Sequence, residues 1–115
     1  MFDFQKLTVY QKSKEFANAM IKLVNDNSFD RTVNDQLKRA SLSIILNIAE
    51  GSSRFSNKDR RNFLVIARGS AFECVAILEF LKDSKDISET IYNNSVSVLE
   101  EISKMLYSLI RRLEN

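Results

Sequence analysis

Phe63-Leu64-Val65-Ile66-Ala67-Arg68-Gly69-Ser70-Ala71-Phe72-Glu73-Cys74-Val75-Ala76-Ile77-Leu78-Glu79-Phe80-Leu81 is the stretch that decides how this chain folds. At about 100° per residue, Phe63, Ala67, Ser70, Cys74, Ile77, Leu78 and Leu81 fall on one side of a helix. Val65, Gly69, Phe72, Ala76 and Phe80 fall roughly on the opposite side. One apolar stripe is enough to seat a helix in a bundle, so the second stripe, with its two phenylalanines, needs a cover of its own. Burying it stabilises by about 1.5–3 kcal/mol for each phenylalanine. The expectation is a subunit interface, with Gly69 and Ala76 letting another backbone come close. The alternative is that a loop or the N-terminal Phe2 and Phe4 fold over this face within one subunit. The wide apolar spread Leu42, Ile44, Ile45 and Leu46 upstream favours the interface, because such faces usually pair.

On either side of this helix the same periodicity continues. The chain has no proline and only two glycines, Gly51 and Gly69, so long helices are expected. A first helix is predicted over about 8–24, with Thr8 and Gln11 at capping-box spacing and Leu7, Tyr10, Ala17, Met20, Ile21 and Val24 as its stripe. A second is predicted over 32–51. Thr32 and Asp35 stand at its N-terminus, Val33, Leu37, Ala40, Ile44 and Ile48 form its core face, and Gly51 is read as a left-handed C-terminal stop. Ser56 with Asp59 opens the third, over 57–82. Asp86 with Glu89 opens the fourth, over 87–114, whose stripe is Ile91, Val98, Leu99, Ile102, Met105, Leu106, Leu109 and Leu113. Short polar connections between long amphipathic helices predict a single all-α domain over residues 1–115, an antiparallel up-down-up-down four-helix bundle.

Composition narrows the chemistry. Hydrophobic residues are 44% and charged residues 28% of the 115, the balance of a water-soluble globular protein. No apolar run is long enough to span a bilayer, and the charged start, Asp3 to Glu15, lacks the apolar region of a secretory signal; the expected location is cytoplasmic, with no membrane partner. There is no histidine, which removes the commonest general base and metal ligand and any imidazole-dependent triad or di-iron site. The single cysteine, Cys74, lies in an apolar run and is read as a small core residue. No metal and no cofactor are expected, and the chain is not expected to be an enzyme.

Charge is unevenly placed although the formal net is only +2. In an antiparallel bundle the N-terminus, the connection between the second and third helices and the C-terminus share one end. There Lys6, Arg54, Lys58, Arg60, Arg61, Arg111 and Arg112 face only Asp3, Glu50, Asp59 and Glu114, seven positive charges against four negative. The other end is the reverse, with Asp26, Asp30, Asp35, Asp83, Asp86 and Glu89 against Arg31, Lys82 and Lys85. Arg111 and Arg112 complement a helix C-terminus. Lys58, Arg60 and Arg61 crowd a helix N-terminus, where the macrodipole favours an anion. With Arg54 and Phe55 they read as a phosphate-contacting patch with one aromatic for stacking; the plainer reading is a solvated charged helix end. A cyclic oligomer would repeat the patch on one face, and RNA or DNA is the partner class it fits.

Three blocks have a familiar look. Asn47-Ile48-Ala49-Glu50-Gly51-Ser52-Ser53-Arg54, preceded by Gln36-Leu37-Lys38-Arg39-Ala40-Ser41 and followed by Ile66-Ala67-Arg68-Gly69-Ser70-Ala71-Phe72-Glu73, closely resembles the bacterial 23S rRNA-intervening-sequence proteins, the four-helix-bundle protein family. The opening Phe4-Gln5-Lys6-Leu7-Thr8-Val9-Tyr10-Gln11-Lys12 is similar to the same family's start. The resemblance implies an up-down bundle and a homopentameric ring. It reaches to the accessory variability proteins of diversity-generating retroelements, relatives that bind nucleic acid and a reverse transcriptase. It implies no settled biochemical activity. One departure is Phe29-Asp30-Arg31-Thr32, where many members carry a proline.

These blocks also place polar residues at or near packed surfaces: Arg39, Ser43, Asn47 and Glu50 form a stripe on the second helix, and Glu73 sits beside the core face of the third. Buried polar groups need partners, so the expectation is that Arg39 or Arg68 meets Glu50 or Glu73 while Asn47 bridges helices. The chemical alternative, Glu50 and Glu73 as an acid-base pair, is disfavoured by the lack of histidine and of a phosphate-binding glycine loop. Two functions follow: a non-catalytic oligomeric adaptor for RNA or DNA, or for a nucleic-acid enzyme, with Arg54, Lys58, Arg60, Arg61, Arg111 and Arg112 contacting phosphate, or a structural protein-protein interaction module whose charges serve solubility.

Overall fold

The computed structural model describes residues 1–114 as four helices, α1 (Thr8–Asn25), α2 (Arg31–Ser52), α3 (Asn57–Asp83) and α4 (Glu89–Arg112), preceded by a 3-10 turn, Asp3–Lys6. Among the described residues there is no strand. The molecule is a rod of 44 × 24 × 22 Å. Neighbours run antiparallel: Gly51 of α2 lies against Phe63 of α3, Ser43 against Ser70 and Ser41 against Cys74. Across α3 and α4, Val65 shares a groove with Ile110 while Ala76 shares one with Val96. The four-helix bundle read from the periodicity is the fold.

One continuous core runs through all four helices. α2 contributes Leu37, Ala40, Ile44 and Ile48, α3 contributes Leu64, Ala67, Ala71, Cys74, Leu78 and Leu81, and α4 contributes Leu99, Ile102, Leu106 and Ile110. The α1 stripe is rotated from the one expected. Val9, Ser13, Phe16, Ala17, Met20 and Val24 are buried, whereas Leu7 and Tyr10 pack only at the margin. Serines on buried faces are tolerated because each is bonded: the Ser13 and Ser41 hydroxyls both donate to the carbonyl one turn back at 2.7 Å, and the Ser43 and Ser70 hydroxyls bond to each other at 2.8 Å across α2 and α3. Cys74 is fully buried, and desolvation pushes its thiol up to about 12. It behaves as a core side chain.

The helix ends correct several expectations. Ser56 does cap α3, accepting from the Asp59 amide at 3.1 Å. At α1, Thr8 lies inside the helix and the N-cap position is Leu7, with no side-chain cap. At α2 the cap is Asp30, whose carboxylate accepts from the Thr32 and Val33 amides, so Thr32 is a first-turn residue. At α4 the cap is Ser88, accepting from the Ile91 amide at 3.1 Å, while Asp86 accepts from the Ser84 hydroxyl in the preceding loop. The helix therefore starts later, at Glu89. At α2 and α4 two capping candidates lie close together in sequence, and the loop geometry chooses between them.

Gly51 is not a C-terminal stop. α2 continues through Ser52, and Gly51 has no positive φ. It is a close-approach residue: a Cβ there would lie 3.1 Å from Phe63 Cβ and 3.3 Å from the Arg60 carbonyl oxygen. The left-handed residue stands elsewhere, at Lys85, with φ 64°. The Lys85 amide bonds to the Lys82 carbonyl at 3.0 Å and the Asp86 amide to the Leu81 carbonyl at 2.9 Å, the two bonds of a Schellman motif closing α3. Ile87, buried just beyond, completes the turn on its apolar side.

Candidate functional site

Two surfaces remain once the core is assembled. The first is the outer side of α3. Val65, Phe72 and Phe80 are exposed, Phe72 by 55% and Phe80 by 61%, and Gly69 and Ala76 between them are open. Phe2 and Phe4 do not cover this face. Phe2 stacks on Phe4, and Phe4 meets Tyr10 of α1 edge to face, an aromatic cluster beside the N-terminal turn of α1. The face also extends beyond the five residues singled out from the sequence. On α4, Tyr107 and Ile110 share a groove of about 380 Å³ with Val65, Arg68, Gly69 and Phe72. Arg68 lies over both the Phe72 and Tyr107 rings, at 4.8 and 5.5 Å, and its Nε donates to the Ser103 carbonyl at 3.3 Å. On the other flank, Ile66, Leu42 and Leu46 are also exposed. The pattern of one helix could not reveal Tyr107, which joins this face only through the packing of α4 on α3.

The second surface is the end of the rod where the N-terminus, the α2–α3 loop and the α4 C-terminus meet. A cleft of about 370 Å³ brings them together, lined by Asp3, Phe4, Leu7, Gly51, Arg60, Leu64, Leu109, Arg112 and others. Of the six cations expected to contact phosphate, Arg60 and Arg112 line this cleft, and half of the six are occupied. Arg54 pairs with Glu50 at 2.7 Å and stacks over the Phe63 ring at 4.6 Å. Arg60 Nε donates to the Arg54 carbonyl at 2.6 Å. Arg111 contacts the Tyr107 hydroxyl and Glu114, which raise its already high pKa. Lys58, Arg61 and Arg112 make no side-chain hydrogen bond or ion pair among the described residues. Of those six, they are the cations still available to a ligand.

The polar network expected between helices is not formed. Among the described residues no ion pair joins Arg39 or Arg68 to Glu50 or Glu73. Glu50 turns to Arg54, just past the end of its own helix, and Asn47 donates to the Ser43 carbonyl and hydroxyl within α2 rather than bridging. The reason is exposure: Arg39, Glu50 and Glu73 all face outward, where water satisfies them and no partner is required. α2 and α3 are linked instead by the Ser43–Ser70 hydroxyl pair. Glu50 and Glu73 show no common site, and among the described residues no group of three or more acidic or cysteine side chains is arranged to hold a metal. No helix is long and apolar enough to cross a membrane.

The family described as 23S rRNA-intervening sequence protein matches residues 5–108 of the chain. The crystal structure of a protein of unknown function from the S23 ribosomal protein family of Bacteroides thetaiotaomicron VPI-5482 is similar, with a TM-score of 0.84 and 31% sequence identity over 90% of this chain and 98% of that one. No curated protein matches.

Proposed function

Because the chain belongs to the 23S rRNA-intervening sequence protein family, we propose that it is a non-catalytic, self-assembling helical adaptor whose basic end engages nucleic acid. The observation that carries the reading is the exposed stripe Val65-Gly69-Phe72-Ala76-Phe80, continued by Tyr107 of α4. Because Phe72 and Phe80 are 55% and 61% exposed, covering them with a second copy contributes a little over half of the ~1.5–3 kcal/mol that burying a whole phenylalanine side chain is worth. A methyl group at Gly69 would meet nothing within 4 Å, so a neighbouring backbone has room to approach. A closed ring, of five copies as the sequence resemblance implies, would set Lys58, Arg61 and Arg112 of every subunit on one face. Repeated cations of one sign attract a polyanion more strongly than any single end does. A reverse transcriptase or another nucleic-acid enzyme is the protein partner that such an adaptor would serve.

Light scattering at micromolar concentration tests the first half, with a mass of several subunits expected for wild type and a lower mass for Phe72→Asp that still shows full helicity. Binding to generic RNA and DNA tests the second half, with affinity falling as salt rises in wild type, and with weaker binding and a shallower salt slope in Lys58→Glu/Arg112→Glu. A folded single subunit insensitive to Phe72→Asp, with no salt-dependent binding, sinks the proposal. The internal pairing of Arg54, Arg60 and Arg111 favours a second reading, a protein-protein module with no nucleic-acid role. It gains if assembly is normal and nucleic acid is ignored.

A further inference from the structure

Phe55 is 101% exposed, the most exposed large hydrophobic side chain of the described residues, and it sits at the tip of the loop joining α2 to α3. A lone exposed apolar residue on a flexible loop means little. This loop is braced from both sides. The Ser53 and Arg54 amides bond back to the Glu50 and Gly51 carbonyls at 3.1 and 3.2 Å, and the Ser53 hydroxyl donates to the Glu50 carbonyl at 2.7 Å. Arg54 is locked to Glu50 and over the Phe63 ring, its own carbonyl is held by Arg60, and Ser56 is fixed as the α3 cap. The ring is thus held in water by a frame with little freedom to fold it away. Its sequence neighbours on the α3 side include Lys58 and Arg61, two of the three phosphate-contact candidates that make no side-chain hydrogen bond or ion pair among the described residues.

A pre-positioned aromatic beside free cations is the pairing that recognises an unstacked base and its phosphates. A duplex hides its base faces in the stack and offers such a ring nothing. We propose that Phe55 stacks on an unpaired base, so that the nucleic acid engaged by the basic end is single-stranded. The proposal rests on the nucleic-acid reading of that end and names its substrate class. Phe55 supplies stacking, Lys58 and Arg61 hold the flanking phosphates, and Arg54 and Arg60 position the loop.

The chain has no tryptophan, so Phe55→Trp places a single indole at the contact without changing the chemistry of stacking. The experiment measures anisotropy of a labelled 20-nucleotide RNA of mixed sequence, alone and annealed to its complement, with wild type, Phe55→Ala, Phe55→Trp and Lys58→Glu/Arg112→Glu. Wild type and Phe55→Trp bind the single strand more tightly than the duplex, and the indole is quenched on binding. Phe55→Ala weakens single-strand binding by about 5- to 150-fold and leaves duplex binding and the salt slope unchanged. If Phe55→Ala keeps the wild-type preference while Lys58→Glu/Arg112→Glu loses affinity, stacking is overturned and the basic-end reading survives. If wild type binds neither form, both fall. An indole that is shifted to the blue by anionic lipid vesicles and unaffected by RNA also overturns the proposal, in favour of a membrane contact.

Discussion

Gly51 and Phe63 meet so closely that a methyl group on the glycine would lie 3.1 Å from the phenylalanine Cβ. Neither that Cβ nor the Arg60 carbonyl oxygen at 3.3 Å can swing aside without moving α3. Gly51→Ala is therefore expected to destabilise the protein by about 1–3 kcal/mol, the cost of overpacking, despite the better helix propensity of alanine. Gly69→Ala, with open space around it, is expected to stabilise an isolated subunit by about 0.5–1 kcal/mol. Urea titration of both variants checks the opposite signs. If Gly69→Ala also lowers the assembly mass, the space at Gly69 is occupied by a neighbour.

Lys85 carries the cost of a left-handed backbone on a residue with a Cβ. Lys85→Gly keeps both bonds of the Schellman turn and removes that cost, so a gain of about 1 kcal/mol is expected, read as a higher denaturation midpoint. A loss would mean that the lysine side chain, not the turn, holds the corner.

Helix caps give a sharper comparison. Asp30→Ala and Ser88→Ala each remove a side-chain acceptor from a helix N-terminus and are expected to lose about 1 kcal/mol. Thr8→Ala and Thr32→Ala remove no cap and are expected to stay within about 0.5 kcal/mol of wild type. Thermal melts of the four variants separate the two groups.

Burial holds the Cys74 thiol protonated up to about 12, against 9.0 for a free thiol in the unfolded chain. Between those values the unfolded state has released its proton and the native state has not, so this group's contribution to stability falls as pH rises above 9.0, by about 1.4 kcal/mol per pH unit. Below that pH both states hold the proton and the contribution is constant. Cys74→Ala lacks this term. Its stability relative to wild type is expected to improve from pH 9 to 11 in urea titrations, and the native thiol is expected to resist a disulfide reagent until the protein unfolds.

The bundle was legible because its evidence is periodic and repeated: α2 shows its core at Leu37, Ala40, Ile44 and Ile48 as the spacing requires. The second face of α3 was legible for the same reason, since a helix with two apolar sides reports an excess that one core cannot absorb. What local pattern could not show was decided by distant partners. Gly51 looks like a helix stop until Phe63 is placed against it, and Arg68 looks like half of an ion pair until Phe72 and Tyr107 come on either side. The choice of Asp30 over Thr32 and of Ser88 over Asp86 belongs to the loops, whose course no spacing rule records.

The uneven sorting of charge to the two tips of a rod 44 Å long makes each molecule an electric dipole. Copies standing side by side in the same sense bring like poles together, whereas alternating copies bring opposite poles together. Dissolved ions shrink the reach of that force to about 10 Å at 0.1 M. Added salt would then tighten a parallel ring and loosen an alternating one, so the sign of the salt response reports how the subunits are oriented before any assembly is imaged.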